Sequence, residues 1–371
     1  MKIAFLADGG HPNCFRWAEY YAGLGATVAV FDFRRERSEG AGVDYFPISA
    51  PVRSSKIRYL ISAGAARRAL EVWRPDVVIG YRLVSYGFLA ARTGVRPLVL
   101  AAQGQNLIPP GAPPFAKRMV AWSLRRADLI HAWSPGMAER MVALGAAPAK
   151  IVVRPRGILL DRWKDAGSRA SRPTLLSTRQ LEPYYNQRLL VEALARIRES
   201  LPEVELVLAG TGSDLGHLTA RVRALGLEKN VRFAGVLDQG ALITELQQAW
   251  LYVSAVPTDG VSSSLLEAMA CGCYPIVVDN RPNRTWLRSA AQGALFGAGD
   301  EGAFAREALR VLASEGARDE ARKVNRGVVE READLDGNMR GFLDAYRELL
   351  RHAEAHSASG SREARSGALP G

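Results

Sequence analysis

Short runs of consecutive apolar residues alternate with stretches of helical periodicity from one end of the chain to the other. In the first half the runs are KIAFLAD, TVAVFDF, DVVIGYR, PLVLAA, DLIHAWS and KIVVRPRGI, separated by amphipathic segments such as CFRWAEYYAGLG and SPGMAERMVALG. Strands that are apolar throughout, rather than at alternate positions, are buried on both faces, which predicts parallel sheets covered by helices. A polar, aperiodic stretch, DRWKDAGSRASR, interrupts the pattern and reads as a linker; TLLSTR, ELVLAG, VRFAG, LYVSAV and YPIVVD then restart it. The predicted fold class is α/β, with two doubly wound Rossmann-like domains facing a central cleft, residues 1–165 and 166–335. A last helix over 336–352 carries Met339, Phe342, Tyr346, Leu349 and Leu350 at helical spacing and is expected to pack back on the N-terminal domain. The tail, 353–371, is poor in bulky apolar residues and reads as disordered. Ligands of such sheets bind at the carboxyl ends of the strands.

Length agrees with two domains, because 371 residues exceed what one core organises. No apolar run approaches the roughly 18–20 residues that span a bilayer. The N-terminus, MKIAFLADGG, reads as a first strand rather than a signal peptide. The three cysteines, Cys14, Cys271 and Cys273, offer only a C-x-C, neither a disulfide framework nor a metal site, which suits a reducing cytoplasm. Charge changes the picture more. Residues 1–165 carry a balance of +12 and the remainder −1, out of +11 overall. An excess confined to one half implies an anionic partner there: a membrane surface, a phosphorylated lipid or nucleic acid. Two basic amphipathic stretches, SSKIRYLISAGAARRALEVWRP and PFAKRMVAWSLRRAD, suit the inner face of a plasma membrane. No nucleic-acid motif or interleaved aromatic platform accompanies the charge, which argues against nucleic acid.

The chemistry concentrates in DGVSSSLLEAMACGCYPIVVD, residues 259–279. Asp259 and Glu267 stand eight positions apart across a small, hydroxyl-rich turn that leads into a helix and then a buried strand. A helix N-terminus presents unsatisfied N–H groups and a partial positive charge, and binds phosphate with its backbone. Glu267 lies one turn further in, within reach of a polar group attached to that phosphate; a ribose diol fits.

Five segments in order resemble the GT-B glycosyltransferases of the large retaining family 4. They are HPNCFRWAEYYAGLGATVAVFD, LRRADLIHAWSPGMAERMVALGAAPAKIVVRPRGILLDRW, STRQLEPYYNQRLLVEAL, ELVLAGTGSDLGHLTARVRALGLEKNVRFAGVL and the paired-carboxylate segment. The resemblance implies a UDP- or GDP-sugar held mainly by the second domain. It matches Glu267 to the carboxylate on the ribose hydroxyls and Arg179 to the catalytic cation on the diphosphate. Asp259 takes the place of the catalytic acidic residue at the transferred sugar. Gly260, Val261, Ser262 and Ser263 match main-chain donors to phosphate and sugar, and Gly210 and Gly212 the family's glycine turn. Gly10, His11 and Gln103 fall on the acceptor and phosphate loops. Three departures stand out. The lysine that often follows the arginine is replaced by Tyr184-Tyr185-Asn186, so a tyrosine hydroxyl is expected to assist Arg179. Gln103 stands where many members place a His or a Trp-Gly-Ser-Asp run, and Asp259 stands where the family usually has Glu.

His131, in an apolar strand, is expected in the core, and Asp334-Leu335-Asp336 to cap the last helix rather than bind metal. The resulting expectation is a retaining transferase needing no metal or other cofactor. It would move a sugar to a saccharide or lipid-linked acceptor in bacterial cell-surface or exopolysaccharide assembly. Two other readings stay open: a non-catalytic sugar-nucleotide-binding protein, and a soluble transferase acting on a small sugar phosphate.

Overall fold

The computed structural model describes residues 1–9, 12–33, 42–50, 57–102, 107–108, 112, 114–167, 169–258 and 262–366. The chain forms two units, Met1–Arg154 with the segment from Met339 onward, and Pro155–Asn338.

The first unit carries β1 (Lys2–Leu6), β2 (Thr27–Asp32), β3 (Val43–Pro47), β4 (Val77–Tyr81), β5 (Leu98–Ala101), β6 (Leu129–Ala132) and β7 (Ile151–Val153). They pair in the order β3-β2-β1-β4-β5-β6-β7, all parallel. The second unit carries β8 (Thr174–Ser177), β9 (Glu205–Ala209), β10 (Val231–Gly235), β11 (Leu251–Ser254), β12 (Tyr274–Val278) and β13 (Ala294–Phe296). Their order is β10-β9-β8-β11-β12-β13, again parallel. Each order reverses at one point, between β1 and β4 and between β8 and β11. At such a switch the neighbouring loops leave in opposite directions and open a crevice at the carboxyl ends.

Alternation of side chains along each strand builds two apolar layers from one sheet. In the second unit Leu206, Leu208, Val253 and Ile276 belong to one cluster. Val207, Tyr252 and Val277 belong to the other. In the first unit Phe5, on β1, meets Trp17 and Tyr21 from the helix Pro12–Gly23. The last helix, Leu335–Ser366, joins that layer: Phe342 stacks on the buried ring of His131 at 3.9 Å. The Tyr346 hydroxyl meets His131 Nε2 at 2.9 Å.

Two expectations about boundaries change. The polar stretch after Asp161 is no linker, because the second unit starts at Pro155 and holds the stretch through scattered anchors. Trp163 is buried. Arg169 Nη2 donates to the Cys271 carbonyl at 3.1 Å, and the Ala170 amide to the Gln248 carbonyl at 3.1 Å. The tail expected to be disordered from 353 is helical through Ser366, since its Ala, Glu and Arg residues favour helix and no proline precedes Pro370; 367–371 lie outside the described residues. Strands β3 and β13 are additions that no long apolar run announced.

Candidate active site

The loops at the β8/β11 switch bring several of the expected site residues together. After Ser177 the chain passes Arg179, whose Nη2 donates to the Ser262 hydroxyl oxygen across 83 positions of sequence. Ser262 is the N-cap of the helix Ser263–Ala270, its Oγ accepting from the Leu265 amide at 3.3 Å. One small side chain thus orders a helix start and a guanidinium together. The first turn of a helix leaves its amides without intrahelical partners, and here they begin beside a fixed cation. Ser263 is the exposed first helical residue. The good helix formers in SSLLEAMA carry the helix to Cys271, and Gly272, at φ +81°, stops it.

Glu267 lies one turn in from Ser263, half-buried. Burial pushes its carboxyl up to about 7, against the opposing pull of Arg179. Any hydrogen-bond donor to this carboxyl would favour its ionised form.

The glycine turn supports this site from behind. Gly210 has φ +151°, and a Cβ there would stand 2.6 Å from the Arg179 carbonyl oxygen; one on Gly212 would stand 2.2 Å from that of Leu181. Only glycine lets these backbones lie together. The Leu181 amide donates to the Thr211 carbonyl at 3.0 Å and the Asp214 amide to the Leu181 carbonyl at 2.8 Å. Glu182, which the sequence did not single out, accepts from the Ser213 amide at 3.0 Å and from its hydroxyl, and these bonds hold its carboxyl below the usual range. Gln187 was missed as well: buried, it donates from Nε2 to the Arg179 carbonyl at 3.2 Å. Both lie inside STRQLEPYYNQ, so their position was marked but their partners were not.

Of the two tyrosines, either of which was expected to assist Arg179, Tyr184 bonds elsewhere. The Tyr184 hydroxyl donates to the Thr258 carbonyl at 2.6 Å and lies 2.7 Å from the Thr258 hydroxyl, so it is committed to that loop. Asp259, Gly260 and Val261, which follow, lie outside the described residues, as do Gly10, His11 and Gln103. Gly9, which precedes the last group, donates its amide to the buried Asp32 carboxylate at 3.1 Å. Asp32 also accepts from the hydroxyls of Tyr45, at 2.9 Å, and Tyr86. His131 is fully buried, and burial lowers its pKa to about 3. Asp334 caps the last helix, accepting from the Asp336 and Gly337 amides at 3.2 and 2.9 Å. Among the described residues no group of three or more His, Cys, Asp or Glu stands together as a metal site.

Residues 9–162 match the family described as Glycosyltransferase Family 4, and residues 162–327 that described as Glycosyl transferases group 1. The phosphatidyl-myo-inositol mannosyltransferase of Mycobacterium leprae is 29% identical over 191 residues, 50% of this chain and 48% of that one. The GDP-mannose:cellobiosyl-diphosphopolyprenol alpha-mannosyltransferase of Komagataeibacter xylinus is 26% identical over 200 residues, 53% and 48%. The chain thus spans about half the length of these curated relatives. Among solved structures, Anabaena HepE in complex with UDP superposes with a TM-score of 0.76 at 16% identity, over 94% of this chain and 100% of that one. A likeness at that identity carries the fold.

Proposed function

We propose, for a chain that belongs to the GT-B glycosyltransferases of family 4, that it transfers a sugar from a UDP- or GDP-sugar to a saccharide or lipid-linked acceptor. The observation that carries this is the tie from Arg179 to Ser262 at a helix start, with Glu267 one turn along at the switch point. In this reading the diphosphate lies against Arg179 and the amides that open the helix. The ribose hydroxyls donate to ionised Glu267, a charge-assisted pairing. Asp259 meets the hydroxyls of the departing sugar. Arg179 stabilises the charge that develops on the leaving nucleotide as the glycosidic bond breaks. Transfer on the same face of the sugar, with the leaving diphosphate taking the acceptor's proton, would retain configuration and need neither a protein base nor a metal. The acceptors in the names of the two mannosyltransferases, phosphatidyl-myo-inositol and cellobiosyl-diphosphopolyprenol, support a lipid-linked acceptor.

The test is turnover against a panel of UDP-, GDP- and ADP-sugars with EDTA present. At least one donor should be consumed, at a rate EDTA leaves within about twofold. Arg179→Ala should lower kcat/KM by about 10²–10³, the cost of removing one preorganised donor to developing charge. Transfer that survives both Asp259→Ala and Glu267→Ala rejects the enzyme.

The basic excess of the first unit supports work at the inner face of an anionic membrane. No helix among the described residues is long and apolar enough to cross one. In the helices Ala63–Trp73 and Ala116–Arg126 the apolar stripe packs inward through Leu70, Val120 and Leu124. What they leave outside is mostly charge, with Val72 86% exposed on the first helix and Phe115 48% exposed beside the second. Attraction would therefore be chiefly electrostatic: protein retained on phosphatidylglycerol vesicles in low salt should be released near 0.5 M salt, where screening is within a few ångströms. Failure to bind in low salt removes the membrane from the reading.

A further inference from the structure

We infer that Tyr184 is a positioning residue for the transfer step, acting through the main chain of Thr258; the inference rests on the donor site proposed above. Its ring is 56% exposed and contributes little to the core. Its hydroxyl nevertheless bridges 74 positions of sequence, donating to the Thr258 carbonyl at 2.6 Å, while the Thr258 hydroxyl, 2.7 Å away, donates back. Thr258 is the residue immediately before Asp259.

The other end of the bridge is stiff. Tyr184 rides on the 3₁₀ turn Pro183–Tyr185, where proline fixes one backbone angle. Glu182 ties the residue before that turn to Ser213, and Asn186, at φ +51°, closes it. The loop that carries Arg179 therefore also holds the chain leading into Asp259. Arg179 and Glu267 engage the nucleotide without passing through Tyr184; Asp259 is reached through Thr258. The two halves of the donor are thus gripped by separable means. A neutral hydroxyl adds nothing to diphosphate neutralisation, so removing it should spare nucleotide affinity and affect the placement of the sugar.

The experiment compares wild type, Tyr184→Phe, Thr258→Ala and the double variant with the donor that wild type consumes. It reads kcat, donor KM, the Kd for free UDP or GDP, and Tm. Tyr184→Phe should lower kcat about tenfold, the value of one hydrogen bond felt at the transition state. The nucleotide Kd should stay within about twofold and Tm should not move. Thr258→Ala should cost less, because it leaves the bond to the main-chain carbonyl. The double variant should cost no more than Tyr184→Phe alone, because the Thr258 hydroxyl bonds to the group that Tyr184→Phe removes. An unchanged kcat, a nucleotide Kd weakened by the same factor, a lowered Tm or full additivity each overturns the inference. Wild-type protein that consumes no donor overturns it together with the transferase reading. Active wild type beside an unaltered Tyr184→Phe overturns it alone.

Discussion

On the proposed reading, Glu267 is the residue whose chemistry most directly reports occupancy of the donor site. Burial holds it protonated to about pH 7, and Arg179 moderates the effect. A ribose diol donates hydrogen bonds, so it binds the ionised form, and binding must be linked to loss of that proton. UDP or GDP should bind with an affinity that is flat above pH 7 and weakens toward tenfold per unit below it. Glu267→Gln should flatten the profile and cost about 10- to 100-fold at pH 8, the range for a hydrogen bond to a charged group. Titration calorimetry from pH 5.5 to 8.5 checks both; an affinity that rises on acidification excludes a carboxylate on the ribose. At this scale Ser262 and Glu267 were marked by one local motif, and Arg179 by the family resemblance. The sequence could not mark the bridge from Tyr184 to Thr258, because nothing local sets a partner 74 positions away.

At the scale of elements, the proposed donor site depends on loops lying closer than side chains permit. Gly212 is the sharpest case, with a substituent due 2.2 Å from the Leu181 carbonyl oxygen and 2.4 Å from its carbon. Backbone atoms cannot swing aside as a side chain can, so Gly212→Ala must displace the stretch from Arg179 to Glu182. The expected cost is about 1–3 kcal/mol of stability, as for other strained backbones. Nucleotide affinity should fall with it, because Arg179 moves; Gly216→Ala, with nothing near its added carbon, should do neither. Thermal melts with and without UDP separate the two effects. Most strands were legible because a parallel sheet needs continuous apolar runs. Strand β3, VDYFP, was not, since as an edge strand it buries only its first residue. Strand β13 is three residues long, too short for any periodicity. The stretch around Trp163 read as a linker because its anchors, Gln248 and Cys271, belong to distant segments.

At the scale of the whole molecule, two buried titrating groups pull the two units in opposite directions with pH. His131, in the first unit, has its pKa lowered from 6.5 to about 3 by burial. The unfolded chain therefore binds the proton first, and stability from this group is lost as pH falls below 6.5. At pH 5 the loss is about 2 kcal/mol, from 1.36 kcal/mol per unit over about 1.5 units. Glu267, in the second unit, has its pKa raised from 4.5 to about 7, so the folded state binds the proton first. Its unit gains stability as pH falls from 7 toward 4.5. The first unit also depends on the last helix, which Phe342 and Tyr346 fix to the His131 ring itself. Phe342 also packs against Trp17 and Trp133, and Tyr346 against Tyr21, so the helix is held by more than the titrating ring. Calorimetric melts should show the first unit's transition about 4–8 °C lower at pH 5 than at pH 7.5, at 2–4 °C per kcal/mol for a domain this size. The second unit's should hold or rise, so that the two separate on acidification. His131→Phe keeps a ring against Phe342 and removes the titration, and its first transition should shift less over the same range. A single transition at both pH values, or a second unit that melts first in acid, contradicts the assignment.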